Sequence, residues 1–353
     1  MKKLLLKLLC IALPFALYFG AFLYFEPYDY FGLKGGAVSE DSYITRVRGY
    51  LNDPQDAVIL GDSRMAHFDM DLIAETTGHA WSNLAFGGAS MNESIDLFYL
   101  AAERNPGLRQ CVFEVSFYTL REGDSRNRMD AITTVVENPL AYLFNFNTNV
   151  DMLNEAVQRL QGIETGATRD EGQWSSEDYV DENGEPLPYR RNLIAYAATL
   201  YANVAKPGTL PAIQSEEYLD QNGKTRERCL NPGELLAAMQ AATPADSAYA
   251  VNEENMRKLE ELAAYCRQQG IELTFVMPPI DDALRDLLVA PLGIGESLSA
   301  IKARLEATGA PVLDFEYEPM AVFSEDQYYD GLHLDVVRGL PQYTKLLFEE
   351  VES

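Results

Sequence analysis

Short apolar runs alternating with longer amphipathic segments predict an α/β fold built on a mainly parallel five-stranded sheet, covered on both faces. Three observations carry this expectation. Residues 57–60, 110–116 and 271–277 are compact and mostly apolar, as strands buried on both faces must be. Glycine or proline punctuates the ends of several of these runs, as at Gly61, Gly270 and Pro278-Pro279. Apolar residues then recur at helical spacing, most clearly Met256, Leu259, Leu262, Ala263 and Cys266.

Taken from the N-terminus, the first element is an apolar run at 8–25, preceded by Lys2, Lys3 and Lys7. As a helix it would reach roughly 27 Å, near the thickness of a bilayer's hydrocarbon core. The basic flank before it, with Glu26 and Asp29 after it, predicts a single-pass transmembrane anchor at the cell membrane, N-terminus cytoplasmic and main domain extracytoplasmic. A cleaved signal peptide is the weaker reading, because Tyr18, Phe19, Phe22, Tyr24 and Phe25 stand where a small-residue cleavage site belongs. The resulting division is a tip and anchor at 1–30, a linker at 31–54, an α/β domain at 55–119 and 251–353, and an insertion or lid subdomain at 120–250.

Within the α/β domain, the strand at 57–60 runs into Gly61-Asp62-Ser63 and a helix expected over 65–76. A strand near 80–84, a Gly87-Gly88 turn and a helix over 90–104, capped by Ser90 or Asn92, come next. The third strand covers 110–116. Between 120 and 250 the alternation is lost; short apolar segments at 150–160 and 193–204 imply helices, and 181–184 and 221–223 read as exposed turns, the latter a hairpin loop. Order returns with a helix over 252–269 that Gly270 stops, a strand at 271–277, helices at 282–288 and 298–308, a fifth strand at 311–315 and a closing helix at 336–349.

Composition narrows the function. Lys+Arg 28 against Asp+Glu 54 leaves a net charge of -26, which repels nucleic acid. The four cysteines are too few for a disulfide-built fold; Cys229 and Cys266 either pair or serve as small buried hydrophobes. A Rossmann cofactor domain is the natural competitor, yet no G-x-G-x-x-G run follows the first strand. The chain therefore calls for no nucleotide cofactor.

Ser63 leaves the first strand at the rim where parallel sheets gather their sites, which suits a nucleophile and equally a simple helix cap. Asp330-Gly331-Leu332-His333 supplies what a serine nucleophile needs, His333 as general base and Asp330 to hold its tautomer. By itself this segment could also be a surface turn or half a metal site. Arg64 either meets an anionic substrate or makes a salt bridge at a helix end. His67 and His79 read as structural or exposed.

Gly61-Asp62-Ser63 and Asp330-Gly331-Leu332-His333 together resemble the first and last blocks of the SGNH, or GDSL-type, hydrolase and acyltransferase superfamily. Asn83-Leu84-Ala85-Phe86-Gly87-Gly88-Ala89-Ser90 looks like its second block. The resemblance implies an SGNH-like, flavodoxin-like three-layer fold and a catalytic set of Ser63, His333 and Asp330, with the Gly88 and Ser63 amides receiving an oxyanion. It also implies a Gly-x-Asn-Asp block after the third strand. Here that place reads Glu114-Val115-Ser116-Phe117-Tyr118, so Ser116 is the substitute donor.

Gly61 to Arg64, Asn83 to Ser90 and Tyr328 to Leu334 resemble the anchored DltD-like and AlgJ/AlgX-like cell-envelope acylation branch. That likeness implies O-acyl transfer or ester hydrolysis through an acyl-serine without a metal. It further implies an envelope polysaccharide or teichoic-type polymer as substrate, a small acyl donor and a multipass membrane acyltransferase as partner. The alternative is a catalytically inactive SGNH-like domain that binds polysaccharide or serves such a complex.

Overall fold

The computed structural model describes residues 2–33, 42–161, 189–219 and 225–353. The turns expected at 181–184 and 221–223, and part of the linker at 31–54, lie outside the described residues. The chain opens with helices α1 (Lys2–Phe25) and α2 (Tyr43–Asn52). Strand β1 (Ala57–Leu60), helices α3 (Ser63–Ala66) and α4 (Met70–Thr77), β2 (Ser82–Asn83), α5 (Met91–Arg104) and β3 (Gln110–Glu114) follow. Next come α6 (Met129–Glu137), α7 (Pro139–Phe144), α8 (Phe146–Leu160), α9 (Tyr189–Val204), the antiparallel pair β4 (Ser215–Leu219) and β5 (Thr225–Cys229), and α10 (Pro232–Gln240). The last third holds α11 (Glu253–Gln269), β6 (Glu272–Met277), α12 (Asp282–Leu292), α13 (Gly295–Ala307), β7 (Val312–Asp314) and α14 (Leu340–Val351).

Two compact units emerge: Met1–Asn52 with Arg128–Glu171, and Asp53–Asn127 with Gly172–Ser353. The first part of the expected insertion thus joins the N-terminal helices, and the remainder belongs with the sheet.

In the sheet unit five strands lie in the order β2-β1-β3-β6-β7, every pairing parallel. Counted within the sheet this is 2-1-3-4-5, a doubly wound order whose switch point falls between β1 and β3. Ile59, Val112, Val276 and Leu313 point to one face, where Phe68 and Ile73 beside Tyr343, Leu347 and Phe348 of α14 close the core. Helices α5, α11 and α13 contact the sheet unit's strands and one another separately from α4 and α14. Each fully buried aromatic in such a layer is worth about 1.5–3 kcal/mol of transfer free energy.

Local signals account for the element ends. Ser90 caps α5 in a capping box with Glu93, and Gly270 ends α11 at φ 72°, a left-handed value that suits glycine. The helix expected over 65–76 is instead two pieces, because the Asp69 side chain accepts from the amides of Asp71 and Leu72 and starts α4 afresh.

The transmembrane helix expected at the N-terminus is corrected by the structure. Among the described residues no helix is long and apolar enough to cross a membrane. Lysines occupy the opening turns of α1, and its last turns pack on protein: Phe22 is fully buried against Tyr142, ring centroids 5.5 Å apart. The Tyr18 hydroxyl donates to Leu143 O at 2.7 Å, and Tyr28 donates to Asp151 at 2.7 Å. Earlier in the helix Ile11, Leu13, Phe15 and Leu17 stay exposed. The single-pass placement, with the main domain extracytoplasmic, falls with the span on which it rested.

The four thiols are free, so Cys229 and Cys266 do not pair.

Candidate active site

The carboxyl ends of β1, β3, β6 and β7 form one rim, and the sheet order brings together residues remote in sequence. Leaving β1, the chain turns at Gly61 with no room for a side chain: a β-carbon there would stand 2.6 Å from Glu114 Cβ. Asp62 then caps α3 by accepting from the Arg64 amide at 3.0 Å, and Ser63 becomes the helix's first residue. Its N–H is one of the amides a helix leaves without an intrahelical acceptor.

The Ser63 Oγ lies 2.7 Å from His333 Nε2, and His333 Nδ1 lies 2.8 Å from Asp330 Oδ2. With Nδ1–H donating to the carboxylate, Nε2 is left to accept the serine proton. Asp330 also accepts the amides of Leu332 and His333 at 3.0 and 2.8 Å, so one carboxylate shapes the turn and orients the ring. Gly331 makes that turn at φ 84°, pressed between Leu193 of α9 and Leu284 of α12, where a β-carbon would come within 3.0 Å of Leu193. His333 and Asp330 are buried and Ser63 is half-buried, so the imidazole is sheltered while the hydroxyl keeps some access to solvent.

Gly88 lies on the exposed turn after β2 at φ 67°, a conformation that favours glycine. Phe86 N–H donates to Gly61 O at 3.3 Å, which ties this turn to the Ser63 rim. Asn83 fastens it from beneath, its Nδ2 donating to the carbonyls of Met65 and Ala66 at 2.8 and 3.2 Å. Ser116 is placed otherwise than as an oxyanion donor. Fully buried, it gives its proton to Glu114 at 2.6 Å and accepts from Arg64 at 3.0 Å.

Next to Ser63 lies a buried charge cluster that the sequence did not announce. Arg64 is buried, flanked by Asp62, Glu114 and Glu316. Burial works against its charge, and Tyr118, then Glu316, Glu114 and Asp62 beside it, outweigh that cost and hold the guanidinium charged. Burial, then the charge of Asp62, pushes the Glu114 carboxyl well above the usual range in spite of Arg64. Burial likewise raises Glu316 to about 7. Its Oε2 is 3.5 Å from Arg64 Nη1, close enough for attraction, yet neither carboxyl oxygen has a hydrogen-bond partner among the described residues. Tyr118 donates to Asp62 Oδ2 at 2.5 Å.

Tyr196 of α9 stands edge-on to His333, ring centroids 5.3 Å apart. Helices α9 and α10 pack on α12, which carries this part of the expected insertion to the site. A cavity of about 380 Å³ is lined among others by Tyr196, Thr199, Ile213, Tyr329 and Asp330, and by neither Ser63 nor His333. Tyr196 had no local signal in the sequence. Glu114 had one, being an acid that closes an apolar strand. His79 lies apart, stacked on Trp81 at 5.4 Å and 3.4 Å from Glu352.

No protein-family model matches the chain, and no curated protein matches it.

Proposed function

We propose that this chain is a serine-dependent ester hydrolase or O-acyl transferase working through an acyl-Ser63 intermediate. The observation that carries the reading is the continuous relay from Ser63 Oγ through His333 to Asp330. His333 Nε2 takes the Ser63 proton as Oγ attacks an ester carbonyl, and Asp330 stabilises the imidazolium. The Ser63 and Gly88 amides are the candidate donors to the oxyanion. Collapse of the tetrahedral species breaks the ester C–O bond, His333 returns the proton to the leaving alcohol, and the acyl group stays on Ser63. Water or a second alcohol, deprotonated by the same histidine, then takes the acyl group.

The alcohol must lie on the histidine side because Nε2 hands it a proton. The choice of a small acyl donor and of a glycan or teichoic-type acceptor rests on the motif resemblance.

A fluorophosphonate tests the mechanism without a known substrate. Ser63 forms a P–O bond, fluoride leaves and His333 takes the proton. Wild type is expected to gain one phosphonyl group at Ser63, with none in Ser63→Ala and at least a hundredfold slower labelling in His333→Ala. Labelling of Ser63→Ala at the wild-type rate sinks the mechanism, and a wild type inert to the probe and to a panel of acetyl esters points to binding instead.

A further inference from the structure

Ser63 and His333 are 270 residues apart in sequence, and their 2.7 Å contact needs the two turns that carry them to be held in register. Helix α3 is only four residues long. Its second residue, Arg64, reaches under the site to the exits of three strands. Nη1 donates to Ser116 Oγ after β3 at 3.0 Å, Nη2 to the carbonyls of Pro278 and of Pro279 (2.9 Å) after β6, and Glu316 after β7 faces the guanidinium. Two residues beyond Pro279, the Asp281 amide donates to Gly331 O at 2.8 Å, inside the turn that holds Asp330 and His333.

A closed circuit results. On one side Ser63 touches His333 directly; on the other, Arg64 next to Ser63 holds the Pro278-Pro279 carbonyls, and the same loop holds the histidine turn. We propose that Arg64 is a positioning residue, its planar guanidinium setting the nucleophile-bearing turn against the histidine-bearing turn. This rests on the acyl-serine reading for its catalytic consequence and on the bonds alone for its mechanical one. A lysine keeps the charge and cannot span the two proline carbonyls and Ser116 at once, because its donors radiate from a single nitrogen.

Three measurements on the full chain test it, with wild type and Arg64→Lys compared: the fluorophosphonate labelling rate at Ser63, hydrogen exchange over 278–281 and 330–334, and the proton resonance of His333 Nδ1–H. Arg64→Lys is expected to label to completion 10- to 100-fold more slowly. The Asp281 amide should exchange at least tenfold faster, while the Nδ1 resonance stays in place because the Asp330 contact is untouched. Wild-type labelling together with unchanged exchange overturns the proposal. Loss of the Nδ1 resonance also overturns it, since Arg64 would then merely support the fold. If wild type itself resists labelling, the acyl-serine reading fails and the exchange measurement still decides the mechanical role. Should Arg64→Lys not fold, Ser116→Ala removes one of the guanidinium's acceptors; it should slow labelling two- to fivefold and quicken Asp281 exchange, and no change in either defeats the proposal.

Discussion

Replacing Glu316 by glutamine probes the charge cluster around Arg64 without touching Ser63, His333 or Asp330. The carboxyl is 1% exposed, lacks a hydrogen-bond partner among the described residues and is raised from 4.5 to about 7. An acid whose value rises on folding keeps its proton in the folded state after the unfolded chain has lost it. Its contribution to stability is therefore complete below pH 4.5 and lost as pH climbs through about 7. At about 1.4 kcal/mol per pH unit, ionising Glu316 costs the folded state about 3 kcal/mol. The attraction of Arg64 is already inside that figure, since without it the carboxyl would sit higher still. Glutamine has no proton to lose, so that part of the pH dependence should vanish. At roughly 2 °C per kcal/mol, the melting temperature of Glu316→Gln should fall about 5 °C less than that of wild type between pH 5 and pH 8, a window that holds about 2.5 kcal/mol of that cost. The assay is thermal and urea unfolding followed by tryptophan fluorescence in a Trp174→Phe background, where Trp81, packed 5.1 Å from Phe348, reports on the sheet unit. Wild-type pH dependence in Glu316→Gln, or a variant less stable than wild type at pH 8, refutes the reasoning.

Two further outcomes are expected. Asp330→Asn keeps an oxygen for the Leu332 and His333 amides but turns a donor toward Nδ1, forcing the wrong tautomer; ester turnover should drop about 10³- to 10⁴-fold with KM little changed, and a drop under threefold would remove Asp330 from the relay. Tyr142→Phe withdraws the 2.5 Å hydrogen bond that the buried Glu26 carboxyl receives, leaving it the Tyr28 amide; the unit formed by α1, α2 and α6 to α8 should lose about 1–3 kcal/mol, read from the urea dependence of amide exchange in α7 and α8, and an unmoved midpoint would show that the bond contributes nothing.

The sequence by itself determined the elements whose signals are local. The strands at β1, β3 and β6 announced themselves as apolar runs, α5 by the Ser90 cap, and the end of α11 by Gly270, because period, cap and stop are all written within a few turns of chain. Ser63, Asp330 and His333 were legible as candidate residues in two short segments. Their distance was not, since the Gly61 turn meets the Gly331 turn only through the strand order and the tertiary bonds across the strand exits, such as Asp281 N–H to Gly331 O. The same limit explains the N-terminal helix: an apolar run states how much surface must leave water, while whether lipid or the side chains of α7 and α8 receive it is a tertiary matter, as Phe22 against Tyr142 illustrates. Ser116 and Arg64 changed meaning for that reason too. Each looked available beside a nucleophile, and each is committed to partners from other strand exits, Glu114 for one and the Pro278-Pro279 carbonyls for the other. Tyr196, brought onto His333 by α9, and the shifted carboxyl of Glu316 belong wholly to the folded state, because burial and Coulomb attraction depend on distances that only the packed chain defines.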